Sequence, residues 1–355
     1  MIKEKKQIIY FEVLRVISAF FVIVNHTNSD IFLNEEIGSL TWFLSLTWFA
    51  LCKFAVPVFI MISGACLLGK VDSYKKNAIR IVRLLIVIIA FSYVYFLYDA
   101  VVDYGLWPRM IDFSTFFETI INKPILSSYW YLYLYMGILI FLPVMQRFVQ
   151  QATKKDLCYA IAMCFILIPL WSFVVHYFPN LKVSPFFLIT IPSPYIGLFL
   201  LGYLLATLRI PSKKRGCLFA ILFVLFITIF IVLTWLDAKK TNYHSSYLFL
   251  DTYASPSIIV CITSAIVFWG VRLWLDTSSN LPKGIELLAG LGKYTFGIYL
   301  VHELILMKTK AYLYTPLLAY LPSMVAVIIW EIAIFVLGLG VTWVLHKIPL
   351  IKKLV

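Results

Sequence analysis

Arg15 and His26 lie eleven residues apart in one apolar stretch, Ile8–Val24 and the residues just beyond it. Ionisable groups within a membrane-length apolar run are costly, so they face a protein interior or a watery cavity and mark functional sites. Eleven steps of about 100° return both side chains to nearly the same helix face, roughly 16 Å apart along the axis. One face then carries a fixed cation at one depth and a titratable imidazole at another. Glu12 stands i,i+3 from Arg15, a pairing distance that lowers the cost of both charges. Asp30 stands i,i+4 from His26, where a carboxylate would hold the imidazole in one tautomer, as a His general base requires. The plainer alternatives are a structural ion pair and an interfacial histidine.

Other groups along the chain add to this inventory. Lys53 is followed by Pro57, which loosens a helix, and by Ser63-Gly64. Gly64 permits close approach of a second backbone, and Ser63 is either a site hydroxyl or one bonded to its own helix. Arg80 and Arg83 share a face at i,i+3; guanidinium forks bind phosphate, or they anchor a helix to anionic lipid. Trp130-Tyr131 open an aromatic run that suits an interfacial belt or a stacking platform for a sugar ring. Tyr299, His302 and Glu303 fall inside another apolar stretch, in a polar network or a cavity.

These groups must be held by membrane helices. The 355 residues are 62% hydrophobic and only 13% charged, with a mean hydropathy of +0.93, against about a quarter charged in soluble domains. The fold class is all-α and polytopic, because only helices and closed barrels satisfy backbone groups in lipid. Apolar runs at 8–29, 42–68, 79–101, 129–149, 157–176, 187–208, 217–236, 255–275, 289–307 and 322–345 predict about ten spans. The run at 187–208, with Pro192 and Pro194 near its start, is the weakest. With the N-terminus inside, 21 of the 30 Lys and Arg fall on the cytoplasmic side, which predicts both termini cytoplasmic. The net charge of +13 therefore reports inner loops, and no nucleic-acid partner is expected. The six cysteines sit in or beside apolar segments without a C-x-x-C pair. Glu12 and Arg15, and the lack of a small-residue cleavage site, mark the first run as an uncleaved span. No internal repeat or separate soluble domain stands out, so a single domain over 1–355 is expected.

No Walker loop, dinucleotide fingerprint or H-E-x-x-H is present. An imidazole, fixed cations and aromatics suit acyl transfer from a polyanionic thioester to a hydroxyl, without a metal. Five segments then carry a resemblance. They are Glu12-x-x-Arg15 with His26, Val56-Pro57-Val58-Phe59 with Ile62-Ser63-Gly64, Arg80-x-x-Arg83, Trp130-Tyr131-Leu132-Tyr133 with Pro143, and Gly292-Lys293-Tyr294-Thr295-Phe296-Gly297-Ile298-Tyr299 with His302. In this order the chain resembles acyltransferase family three, most nearly its enterobacterial common antigen O-acetyltransferase branch. One departure is Ser128, where many relatives carry a histidine.

The resemblance implies a bacterial cytoplasmic (inner) membrane enzyme using acetyl-CoA or another acyl-CoA, with a glycan or lipid-linked saccharide as acceptor. It assigns the essential basic residue and histidine to Arg15 and His26, and the arginine pair to Arg80 and Arg83. The expected scheme has Arg80, Arg83 and Arg15 holding the donor, with Ser63 near it. His26 then acts as base, oriented by Asp30. Trp130, Tyr131, Lys53, Tyr299 and His302 meet the acceptor. A transporter or flippase of a lipid-linked saccharide is the rival reading. A membrane-bound O-acyltransferase of the other histidine type is a second.

Overall fold

α1, Ile2–Thr27, is the helix around which the site is built. In the computed structural model residues 2–103, 105, 113–178, 180, 193–209, 216–244, 256–277 and 283–355 are described. The first residues of the sixth expected span, 187–192, and parts of the long loops at 102–128 and 237–254 lie outside them.

All regular structure among the described residues is helical. After α1 come α2 (Ser29–Phe32), α3 (Leu40–Cys52), α4 (Ala55–Leu67), α5 (Tyr74–Tyr98), α6 (Phe113–Asn122), α7 (Trp130–Gln151), α8 (Lys154–Phe165) and α9 (Trp171–Tyr177). Then follow α10 (Pro194–Thr207), α11 (Gly216–Thr241), α12 (Ile258–Thr277), α13 (Lys283–Gly290), α14 (Thr295–Thr309) and α15 (Ser323–Leu345). Eight segments are long and apolar enough to cross a membrane, and the protein is a multi-pass membrane protein.

The ten expected spans thus divide into eight long ones and two short ones. α10 has 14 residues, about 21 Å of helix, less than the roughly 30 Å hydrocarbon thickness; α14 has 15 and runs on through a π-helical turn, Lys310–Tyr314, to Leu317. Local chemistry sets both starts. Ser193 caps α10 by accepting from Tyr195 N, and Pro194 sits in its first turn, where its missing N–H costs nothing. At the other site the chain turns through a 3₁₀ segment, Gly292–Tyr294, which separates α13 from α14.

Prolines explain two further breaks. Pro57 cannot donate to the carbonyl of Lys53, and α3 and α4 part at Lys53–Phe54. Pro169 lies in a π-helical turn, Ile166–Leu170, between α8 and α9.

The helices fall into two compact units. The first comprises Met1–Gly69 and Ala152–Val341. Within it α1 packs against α3, α4, α12, α13 and α14. One core cluster gathers Trp42, Leu46, Phe49 and Phe230 around Val24. Another gathers Ile298, Trp330 and Ile334 around Ile23. α4 and α10 lie backbone to backbone: a Cβ on Gly64 would run into the carbonyl of Phe199, and one on Gly202 into that of Met61. The close approach expected at Gly64 is therefore present.

The second unit comprises Lys70–Gln151 and Thr342–Val355. Pro143 stays inside α7 and leaves the Leu139 carbonyl without its helical donor. Asn77 Nδ2 of α5 donates to that carbonyl at 2.7 Å. A second pin lies nearby, where Asp72 N donates to Gln146 Oε1 at 3.1 Å.

Candidate functional site

α1 is unbroken from Arg15 to His26, so the offset read from spacing holds within one rigid element. At its C-terminal end, His26 Nδ1 is 3.8 Å from Glu303 Oε1, with the two side chains 21% and 15% exposed. The His302 ring lies beside that of His26, centroids 5.3 Å apart and tilted by 47°. His302 is 1% exposed. Its Nδ1 is 2.6 Å from the Tyr299 carbonyl. A carbonyl only accepts, so the proton sits on Nδ1 and Nε2 presents a lone pair. That Nε2 has no hydrogen-bond partner among the described residues. The Tyr299 ring flanks it at 5.7 Å.

Asp30 does not take the place expected for it. α1 ends at Thr27, and the His26 carbonyl accepts from the Ser29 hydroxyl at 3.1 Å. Asn28 keeps helical dihedrals between α1 and α2, and the Asp30 carboxylate pairs with Lys310 at 2.7 Å. The carboxylate facing the imidazole belongs to Glu303, on a helix distant in sequence.

Lys53 reaches the same end of α1. The break before Pro57 releases it from the helix, and its Nζ donates to Asn25 Oδ1 at 2.7 Å while standing 4.8 Å over the Phe49 ring. At the other station, Arg15 pairs with Glu12 and approaches Cys66 Sγ at 3.9 Å. Gly292 is forced by this pair, because a Cβ there would collide with the Glu12 side chain. Ser63 Oγ donates to Phe59 O at 2.9 Å, the back-bond to its own helix rather than a free nucleophile.

The remaining expected residues lie in the second unit. Arg80 bonds the Asp72 carboxylate at 2.7 Å, and Lys76 bonds it at the same distance. The Lys76 ammonium, with Arg80 beside it, holds the Asp72 carboxyl down to about 2. Arg83, one turn on, is exposed and has no ion pair among the described residues. Trp130 and Tyr131 begin α7, edge to face at 6.5 Å, and Tyr131 stacks on Tyr135 at 5.9 Å.

Against known protein families, residues 8–347 match the model of one described as an acyltransferase domain, acyltransferase family three. The chain belongs to this family. No curated protein and no solved structure matches it. The match runs through both units and covers every segment on which the resemblance was drawn.

Sequence spacing in this acyltransferase missed two carboxylates. Glu303 was visible as a polar residue within a span, but its pairing with α1 is tertiary. Glu331, in the middle of α15, is fully buried. Its Oε1 is 2.8 Å from Thr27 Oγ1, and its Oε2 accepts from Trp48 Nε1 at 2.9 Å. An acidic residue inside the apolar run 322–345 was the available signal. Glu331 ties the residue after His26 to α3 and α15.

Proposed function

We propose that this membrane acyltransferase is an O-acetyltransferase of the bacterial cytoplasmic membrane. It moves an acetyl group from cytoplasmic acetyl-CoA to a hydroxyl of a cell-surface or lipid-linked glycan. The observation that carries the reading is the carboxylate–imidazole pair Glu303–His26 at the end of a helix that holds Arg15 roughly 16 Å away.

With Nδ1 turned toward Glu303, His26 presents Nε2 to the reaction. The base takes the proton of the acceptor hydroxyl as its oxygen attacks the thioester carbon. The tetrahedral intermediate collapses, the C–S bond breaks, and the imidazolium returns the proton to the leaving CoA thiolate. Glu303 orients the ring and stabilises the imidazolium, the part a buried carboxylate plays in other His-based transfers. A 3.8 Å separation before substrate binds is compatible with this, since catalytic hydrogen bonds tighten in the reactive complex. Lys53, His302 and Tyr299 meet the acceptor. For the donor's phosphates the first unit offers Arg15 and the second offers Arg80 and Arg83, with Arg83 the more available of that pair. Trp130 and Tyr131 stack on the sugar.

Purified protein supplied with labelled acetyl-CoA and a glycan acceptor tests this. His26→Ala should lower turnover by about 10²–10⁴-fold while membrane insertion is unchanged. Full activity in that variant ends the scheme. Arg83→Ala should raise KM for the donor more than it lowers kcat. Uptake or flipping of a labelled lipid-linked saccharide without CoA release would favour the transporter reading.

A further inference from the structure

The cluster at the end of α1 has a second chemical capacity. His26, His302 and Glu303 each offer one ligating atom, and these atoms lie within 4.8 Å of one another. A point equidistant from three such atoms in a near-regular triangle is no more than about 2.8 Å from each, against about 2.0–2.1 Å for zinc bonded to imidazole or carboxylate. Side-chain movements of about 0.7 Å would close the set. Two imidazoles and one carboxylate are a zinc-type donor set that leaves a fourth position open.

His302 is prepared for such a role. Its Nδ1 proton is tied to the Tyr299 carbonyl, the outer hydrogen bond that fixes a ligating imidazole and directs its other nitrogen at a metal. That other nitrogen, Nε2, is buried without a hydrogen-bond partner among the described residues, and so is Glu303 Oε1. Buried polar atoms left unpaired are costly and call for an occupant. Glu303 supplies the negative charge a dication needs. His26 and Glu303 retain partial exposure, which leaves an approach to the ion.

We propose that His26, His302 and Glu303 form a binding site for Zn²⁺ or a similar borderline divalent ion, and that the bound ion inhibits acyl transfer. The lone pair of His26 serves either a metal or a proton, not both at once. Binding stands on the ligand geometry alone, whereas the inhibition rests on His26 as base in the proposed transfer.

The test uses the full-length protein in detergent or nanodiscs, stripped with a chelator and titrated with Zn²⁺ alone. One equivalent of zinc should bind, and Mg²⁺, which demands an octahedral oxygen shell, should not compete. His302→Ala and Glu303→Gln should each weaken binding by at least about tenfold, with a monodisperse elution profile as the control for folding. The exposed thiols of Cys66, Cys158 and Cys217 are the alternative ligands. Zinc binding that survives both substitutions belongs to them and overturns the proposal. Chelator-treated enzyme should keep its transfer activity and lose it on adding zinc. Activity that disappears with the chelator and returns with zinc would overturn the inhibitory assignment. One-equivalent binding by a protein with no transfer activity would uphold the site and sink the proposed function instead.

Discussion

At the scale of single residues, the decisive contacts are those His26 makes across helices. Arg15 and His26 were legible because both lie on one helix, where spacing alone fixes their relation. Glu303 was not, because α1 and α14 meet only through tertiary packing, and the local candidate, Asp30, is drawn off by Lys310. Glu303→Gln removes the charge that stabilises an imidazolium but keeps the side chain's volume. It should lower kcat by about 10–10²-fold with KM for the donor nearly unchanged, a smaller loss than at the base itself. Asp30→Asn should leave kcat within about threefold, because the pair it breaks is exposed and weak. Steady-state kinetics on both variants decide between the two carboxylates; a larger loss at Asp30 would restore the sequence-based assignment. Glu331 behaves differently. In Glu331→Gln the amide oxygen still accepts from Trp48 and the amide nitrogen donates to Thr27, whose hydroxyl turns to the Ile23 carbonyl at 3.1 Å. That variant should unfold near the wild-type temperature. Glu331→Ala strands the Trp48 N–H and should cost about 1–3 kcal/mol.

At the scale of elements, the motif residues Gly64 and Pro143 act by setting how helices dock. Gly64→Ala drives a methyl into the Phe199 carbonyl, which is backbone and cannot step aside. α4 and α10 must then separate, at a cost of about 1–3 kcal/mol. Sequence pattern could mark Gly64 as a contact glycine but could not name its partner. The Pro143 pin gives a sharper experiment. Asn77→Ala leaves the Leu139 carbonyl unsatisfied in the interior of the α5–α7 pair and should destabilise by about 1–3 kcal/mol. Pro143→Ala in the same chain returns a backbone N–H to that carbonyl, so the double variant should recover part of the loss. Thermal unfolding of the two single variants and the double variant measures the coupling. Simple additivity would show that Pro143 and Asn77 do not share the carbonyl. Asp72 adds an acid limit to the same unit. Its folded pKa lies below the ordinary carboxylate value, so its contribution is complete above that value and is lost as pH falls through about 2.

At the scale of the whole molecule, length and hydropathy made the all-helical membrane fold legible, and charge bias suggested an orientation. The number of crossings was less legible because the two short helices begin at local signals, Ser193-Pro194 and the turn at Gly292–Tyr294. Whether each of them completes a crossing with its flanking chain is a question of parity. Eight long segments return the chain to the side from which it started. If both short helices cross, the termini again share a side; if only one crosses, they do not. The loop charges argue that Pro194–Thr207 crosses, since removing that crossing would exchange the sides of every later loop and nearly erase the excess of Lys and Arg on one face; removing Thr295–Thr309 would exchange only the last loop and the tail and leave the excess in place. With both short helices crossing, reporter fusions at the N-terminus and after Val355 should both read as cytoplasmic. A C-terminal reporter active outside the membrane would mean that one of Pro194–Thr207 and Thr295–Thr309 turns back. If that helix were Thr295–Thr309, its His302 and Glu303 would belong to a re-entrant segment whose polar residues sit at membrane depth only because protein surrounds them. A third reporter, placed after Thr277, separates the two cases. It lies beyond the first short helix and before the second, so an external reading there would indict Pro194–Thr207 and a cytoplasmic one Thr295–Thr309.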